Sequence, residues 1–233
     1  FIKDIFMDNY LGTKPIPGLL WRFALPSIVS QLVHSIYNMV DQVFIGQKIG
    51  YLGNAATNVT FPFVTFFLAV NLMISVGTAA NIGLKLGAGH QEQADRTLGN
   101  SLTLAVITCL IMCVASQVFL VPLLTFFGAT EAVLPYAVPY ARIYTIGVLF
   151  VTPGILLGDI IRADGSPTFA MYGMLAGAIC NVILDYLFIF PLNMGMQGAA
   201  LASIIGQLLS LLICLTYLKR FRTLNLKSKN LRP

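Results

Sequence analysis

Two aspartates stand inside stretches that are otherwise almost free of charge. Asp41 closes the run Tyr37-Asn-Met-Val-Asp41, and Asp185 closes Asn181-Val-Ile-Leu-Asp185. A carboxylate within an apolar span is costly to bury and marks an ion or substrate pathway. On a helix, Gln31, His34, Asn38 and Asp41 fall within roughly 80° of one another, with Tyr37 beside them. Gly173, Gly177, Asn181 and Asp185 form one row at steps of four, and Ser203, Gln207 and Ser210 share another helix face. Carboxylate, amide and hydroxyl oxygens suit a hard monovalent cation, or a proton shared between crowded carboxylates.

Other candidate chemistry is weaker. Cys109 and Cys113 are four apart on one helix face, but no His or carboxylate lies near them in sequence, so they read as small packing residues. All four cysteines lie inside apolar runs, which argues against a disulfide-stapled secreted domain. His34 reads as a satisfied core histidine and His90 as a loop residue, and neither supports a metal site. Arg142 either neutralises a carboxylate or snorkels. The sequence holds no His-Glu-x-x-His, no Gly-x-Ser-x-Gly and no P-loop, and Gly87-Ala-Gly89 lacks the third glycine of a nucleotide fingerprint. The chain is therefore not expected to be an enzyme.

The composition says what must position these residues. Of 233 residues 57% are apolar and only 10% charged, against about a quarter charged in a soluble domain. Mean hydropathy is +0.82. The chain reads as an all-α polytopic membrane protein, since so little polar surface cannot cover a globule in water. Six apolar windows of membrane length are expected at about 18–46, 53–85, 97–127, 132–159, 168–190 and 197–219. Gly50-Tyr-Leu-Gly53, the polar stretch 87–96, residues 128–131, Asp164-Gly-Ser-Pro167 and residues 191–195 separate them. Pro26, Pro62, Pro139 and Pro153 lie within spans, as kinks or hinges. Gly83/Gly87, Gly154/Gly158 and Gly173/Gly177 have the spacing that lets helix backbones approach.

Loop charge sets an orientation. The side holding the N-terminus carries Lys3, Lys14, Arg22, Lys85, Arg96, Arg162 and a basic tail of Lys219, Arg220, Arg222, Lys227, Lys229 and Arg232. The opposite side carries Lys48 alone, so both termini are expected in the cytoplasm of a cell-membrane protein. The tail reads as a juxtamembrane segment facing anionic lipid, not as a nucleic-acid surface. With this topology the outer half of the bundle receives Asp41 from helix one, Tyr140 from helix four, Asp185 from helix five and Ser203 from helix six. The expected divisions are a cytoplasmic segment 1–17, a six-helix lobe 18–219 and a tail or inter-lobe linker 220–233.

The ordered segments Leu11-Gly-Thr-Lys-Pro-Ile, Ala24-Leu-Pro26, Tyr37-Asn-Met-Val-Asp-Gln-Val-Phe-Ile-Gly46, Leu86-Gly-Ala-Gly89, Ile161-Arg-Ala-Asp-Gly165, Asn181-Val-Ile-Leu-Asp185 and Gly198-Ala-Ala-Leu-Ala-Ser203 resemble the multidrug and toxic compound extrusion (MATE) transporters. The resemblance runs from about Leu11 to Tyr217. It implies one six-helix lobe of a twelve-helix antiporter that expels organic cations in exchange for sodium ions or protons, with no other cofactor. It also implies a cation site of Asp41, Asn181, Asp185, Ser203, Tyr37 and Tyr140, with sodium at Asp41, Asn181 and Asp185. The chain stops after one lobe, so a second six-helix lobe, or a second copy of the chain, is an expected partner. Alternative readings are a lipid-linked saccharide flippase of the same superfamily, for which the spans offer only Arg142 as a cationic group, and a non-transporting membrane scaffold.

Overall fold

Short connections separate six helices in the computed structural model, which describes residues 15–218 together with Phe221 and Leu224. The helices are α1 (Ile16–Lys48), α2 (Tyr51–Gly87), α3 (Gln91–Phe126), α4 (Leu134–Ala163), α5 (Pro167–Ile189) and α6 (Gly195–Tyr217). All six are long and apolar enough to cross a membrane; even the 23 residues of α5 and α6 span about 35 Å at 1.5 Å per residue. The first turn after α1 needs a left-handed residue, and Gly50 supplies it at φ 84°. Gly165 does the same at φ 86° before Pro167 opens α5, where a missing N–H costs nothing.

Two boundaries differ from the sequence expectation for one reason. The polar stretch 87–96 is not all loop: α3 begins at Gln91, six residues before the apolar window. Glu92 and Arg96 pair across one helical turn at 2.8 Å on the exposed face, while Ala94 and Leu98 are fully buried. Likewise α4 continues to Ala163, its last turn carrying the Asp159–Arg162 ion pair. These ends are amphipathic helix continuing beyond the apolar segment, where charge no longer terminates a helix. Pro122 interrupts α3, and Phe119 takes non-helical angles (φ −101°, ψ 16°) one turn before it. Pro122 is not among the kinks expected from the sequence, Pro26, Pro62, Pro139 and Pro153.

The helices alternate in direction, so α1, α3 and α5 end where α2, α4 and α6 begin. At that far end Ile45, Leu120, Leu124, Ala137, Ile189 and Ala199 form one core. At the terminal end Ile82, Leu98, Leu156 and Ile160 form another. Helix α4 packs against α2, α3 and α6 and is the central post; α5 joins α6 on one side and α1 on the other. Tyr217 at the end of α6 donates to Asp164 Oδ2 at 2.9 Å, which ties α6 to the α4–α5 turn.

Helix α1 is the outlier. Of its residues only Ser30, Asp41 and Ile45 are buried, and it exposes Gln31, Leu32, Ser35, Asn38 and Met39. The small-residue pairs also divide. Only Gly173 and Gly177 face a close neighbour, α6; a Cβ on Gly83 or Gly87 would meet nothing within 4 Å, and those on Gly154 and Gly158 would make ordinary contacts at 3.8 Å. Spacing alone does not say whether a helix face has a neighbour. The basic tail positions Lys219, Arg220, Arg222, Lys227, Lys229 and Arg232 lie outside the described residues, as do Lys3 and Lys14.

Candidate cation site

The far half of the bundle collects the sequence-predicted residues from four helices. Asp41 lies two turns before the end of α1 and Asp185 one turn before the end of α5, both buried. Tyr140 enters from α4, also buried, and half-buried Ser203 from α6. Asn181, one turn below Asp185, donates through Nδ2 to Ser203 Oγ at 3.4 Å. Tyr140 is within electrostatic reach of Asp41, Asp185, Tyr37 and Tyr144, and Asp185 is within reach of Asp41. All six predicted positions therefore fall in one neighbourhood.

Four oxygens decide what the neighbourhood can do. Asp41 Oδ1, Asn181 Oδ1 and both carboxylate oxygens of Asp185 are buried with no hydrogen-bond partner among the described residues. Asp185 is fully buried and Asp41 is 6% exposed. An orphaned buried carboxylate is expensive, because nothing replaces the water it has lost. Two of them close together cannot both keep a negative charge without a counter-ion or a shared proton. Arg142 does not provide one: it is exposed on α4 and forms no ion pair among the described residues. Every unpartnered atom here is an oxygen, the donor set of a hard cation.

The structure adds Tyr144 to the cluster and draws in His34 and Gln207, which the sequence sets on polar helix faces but not in the site. Tyr144 stacks on Tyr140 with centroids 5.9 Å apart and planes at 20°. Gln207 on α6 donates through Nε2 to the Tyr37 hydroxyl at 3.3 Å and so joins α6 to α1. The Tyr37 hydroxyl also lies 3.0 Å from His34 Nδ1. Each newcomer stands one turn from a predicted member, Tyr144 from Tyr140, Gln207 from Ser203 and His34 from Tyr37. That spacing was the available signal. His34, read from sequence as a core histidine, is half-buried and bonded into the cluster.

Six membrane-length helices, with two buried carboxylates among them, define a multi-pass membrane protein. The chain belongs to the MatE family, the multidrug and toxic compound extrusion transporters, whose family model matches residues 26–187. It is similar to the multidrug export protein MepA of Staphylococcus haemolyticus, 28% identical over 229 residues covering 96% of this chain and 50% of that protein. It is also similar to an FAD transporter of Shewanella oneidensis, 27% identical over 205 residues, 86% of this chain and 45% of that protein. Among solved structures, an outward-facing MATE multidrug resistance transporter superposes with a TM-score of 0.87 at 26% identity, over 92% of this chain and 48% of its own. The chain thus spans about half the length of the relatives it matches.

Proposed function

We propose that the chain is one lobe of a sodium- or proton-coupled antiporter that expels organic cations by alternating access, with a second six-helix lobe as its partner. Membership of the family supports the transport role, and the unpartnered carboxylate pair Asp41–Asp185 carries the reading of cation coupling. A monovalent cation entering between Asp41, Asp185 and Asn181 lowers the negative charge of the pair by one unit, and its departure restores a charge that the poorly hydrated bundle does not tolerate. That alternation is strong enough to repack α1, the helix least held by its neighbours, and Pro26 gives it a place to bend. The exposed Gln31, Ser35 and Asn38 lie on the same helix, so a movement of α1 changes the surface offered to a drug. In this reading the protein sits in the cell membrane with both termini cytoplasmic.

The test is export by the lobe joined to a second six-helix lobe. Asp41→Asn and Asp185→Asn should each abolish ion-driven efflux of a fluorescent organic cation while the protein still inserts and still binds the dye. Efflux at the normal rate, with normal sodium and pH dependence, removes that carboxylate from the coupling site.

A further inference from the structure

The Tyr37 hydroxyl has more to satisfy than a lone phenol on a transmembrane helix. Its oxygen lies 3.3 Å from Gln207 Nε2 on α6 and 3.0 Å from His34 Nδ1 one turn back on α1. The His34 and Tyr37 rings stand edge to face, 5.0 Å apart at 86°. An amide nitrogen only donates, so Gln207 occupies one lone pair of the phenol oxygen. The phenol proton needs an acceptor of its own. The hydroxyl's hydrogen-bond partners among the described residues are His34 and Gln207, neither aspartate among them, so Asp41 and Asp185 do not receive it. His34 Nδ1 is in reach, and it accepts when the imidazole carries its hydrogen on Nε2.

We propose that His34 is a positioning residue for the cation site: it accepts the Tyr37 hydroxyl hydrogen and leaves a phenol lone pair, not that hydrogen, free for a cation. This rests on the cation-site reading above and deepens it. The alternative tautomer gives the opposite result. With hydrogen on Nδ1, His34 and Gln207 both donate to Tyr37, both lone pairs are used, and the phenol presents a proton where a cation must sit. The choice of tautomer therefore decides whether Tyr37 is a ligand or an obstacle. The three-residue spacing on α1 keeps the His34 ring against the Tyr37 ring.

The experiment uses the purified 233-residue chain in lipid nanodiscs. Thermal stability is titrated with sodium chloride against choline chloride at fixed pH, and with pH in the absence of sodium. The midpoint is taken in whichever series stabilises the wild-type chain. Tyr37→Phe and His34→Ala should each shift that midpoint by about two- to tenfold, the effect of one neutral hydrogen-bonding group. The double variant should shift it no further than either single one, because both act through one oxygen. His34→Asn places an amide oxygen near the Nδ1 position and should recover the wild-type midpoint to within about twofold, the low end of that range. A normal midpoint in His34→Ala beside a shifted one in Tyr37→Phe overturns the inference and leaves the cation site standing. Additive effects, or no rescue by His34→Asn, overturn it equally. If neither series stabilises the wild-type chain, the cation-site reading fails and takes the inference with it.

Discussion

Gly177 on α5 and Gly206 on α6 bring their backbones closer than any side chain allows: a Cβ built on either lies 2.7 Å from the carbonyl oxygen of the other. The contact sits one turn below Asn181 and Ser203, which meet across the same two helices. It sets the spacing at which α5 and α6 present their oxygens. Gly177→Ala or Gly206→Ala must push the helices apart, a strain of about 1–3 kcal/mol. Gly83→Ala meets nothing and should gain up to about 1 kcal/mol from lower chain entropy and better helix propensity. Thermal unfolding of the purified chain should therefore move in opposite directions for the two kinds of variant. Equal shifts would mean that the α5–α6 contact is looser than described.

Much of this arrangement was legible in the residues, because bilayer thickness fixes span length and the price of a buried charge fixes where carboxylates are worth noticing. The row Gly173, Gly177, Asn181, Asp185 marked a face open to close approach and set two candidate site residues on it, but not which helix would meet it. What failed to show was anything that depends on which neighbour a helix face meets. Gly83 and Gly87 have the same spacing as Gly173 and Gly177, yet only the second pair has a helix against it. His34 and Gln207 were legible as members of polar helix faces, but not as partners of one hydroxyl until α1 and α6 were set side by side around Tyr37. The start of α3 was missed because hydropathy marks the apolar part of a helix, and Gln91–Arg96 extends past it.

Orientation is open to direct measurement. Gln47 lies in the last turn of α1 and Gln91 in the first turn of α3, at opposite ends of the bundle. With the native cysteines replaced, a cysteine at position 47 should react with an impermeant maleimide from outside the cell, and one at position 91 only after the membrane is opened. The lopsided distribution of Lys and Arg sets that direction. The reverse pattern would invert the topology, and labelling of both from outside would refute the six-span fold.

The neutral oxygens should matter less than the carboxylates, and unequally. Asn181 Oδ1 is buried and unpartnered, so Asn181→Ala should weaken cation-induced stabilisation by about two- to tenfold. Ser203 is half-buried, and water can stand in for its hydroxyl, so Ser203→Ala should lie at the bottom of that range. Ser203→Thr keeps the hydroxyl and should leave the midpoint unchanged. A larger loss in Ser203→Ala than in Asn181→Ala would place the ion nearer α6 than this geometry does.

Drug export should require more than these 233 residues. In repeat-built transporters the substrate lies between two repeats, and access alternates as one rocks against the other. This chain offers one wall: α1 exposes Gln31, Ser35 and Asn38 beside Leu32 and Met39, a mixed polar and apolar surface that no other helix among the described residues covers. Against lipid, Ser35 and Asn38 would be left with only the carbonyls of Gln31 and His34 on their own helix; against a second lobe they would line a cavity. Residues 1–233 expressed alone should insert and give no drug resistance. The same residues joined to a second six-helix lobe should restore it, and Asn38→Leu in the joined protein should alter which drugs are exported more than how stable the lobe is. Robust resistance from the short chain, together with a purified dimer, would overturn the requirement for a different second lobe and assign the missing wall to another copy of this one.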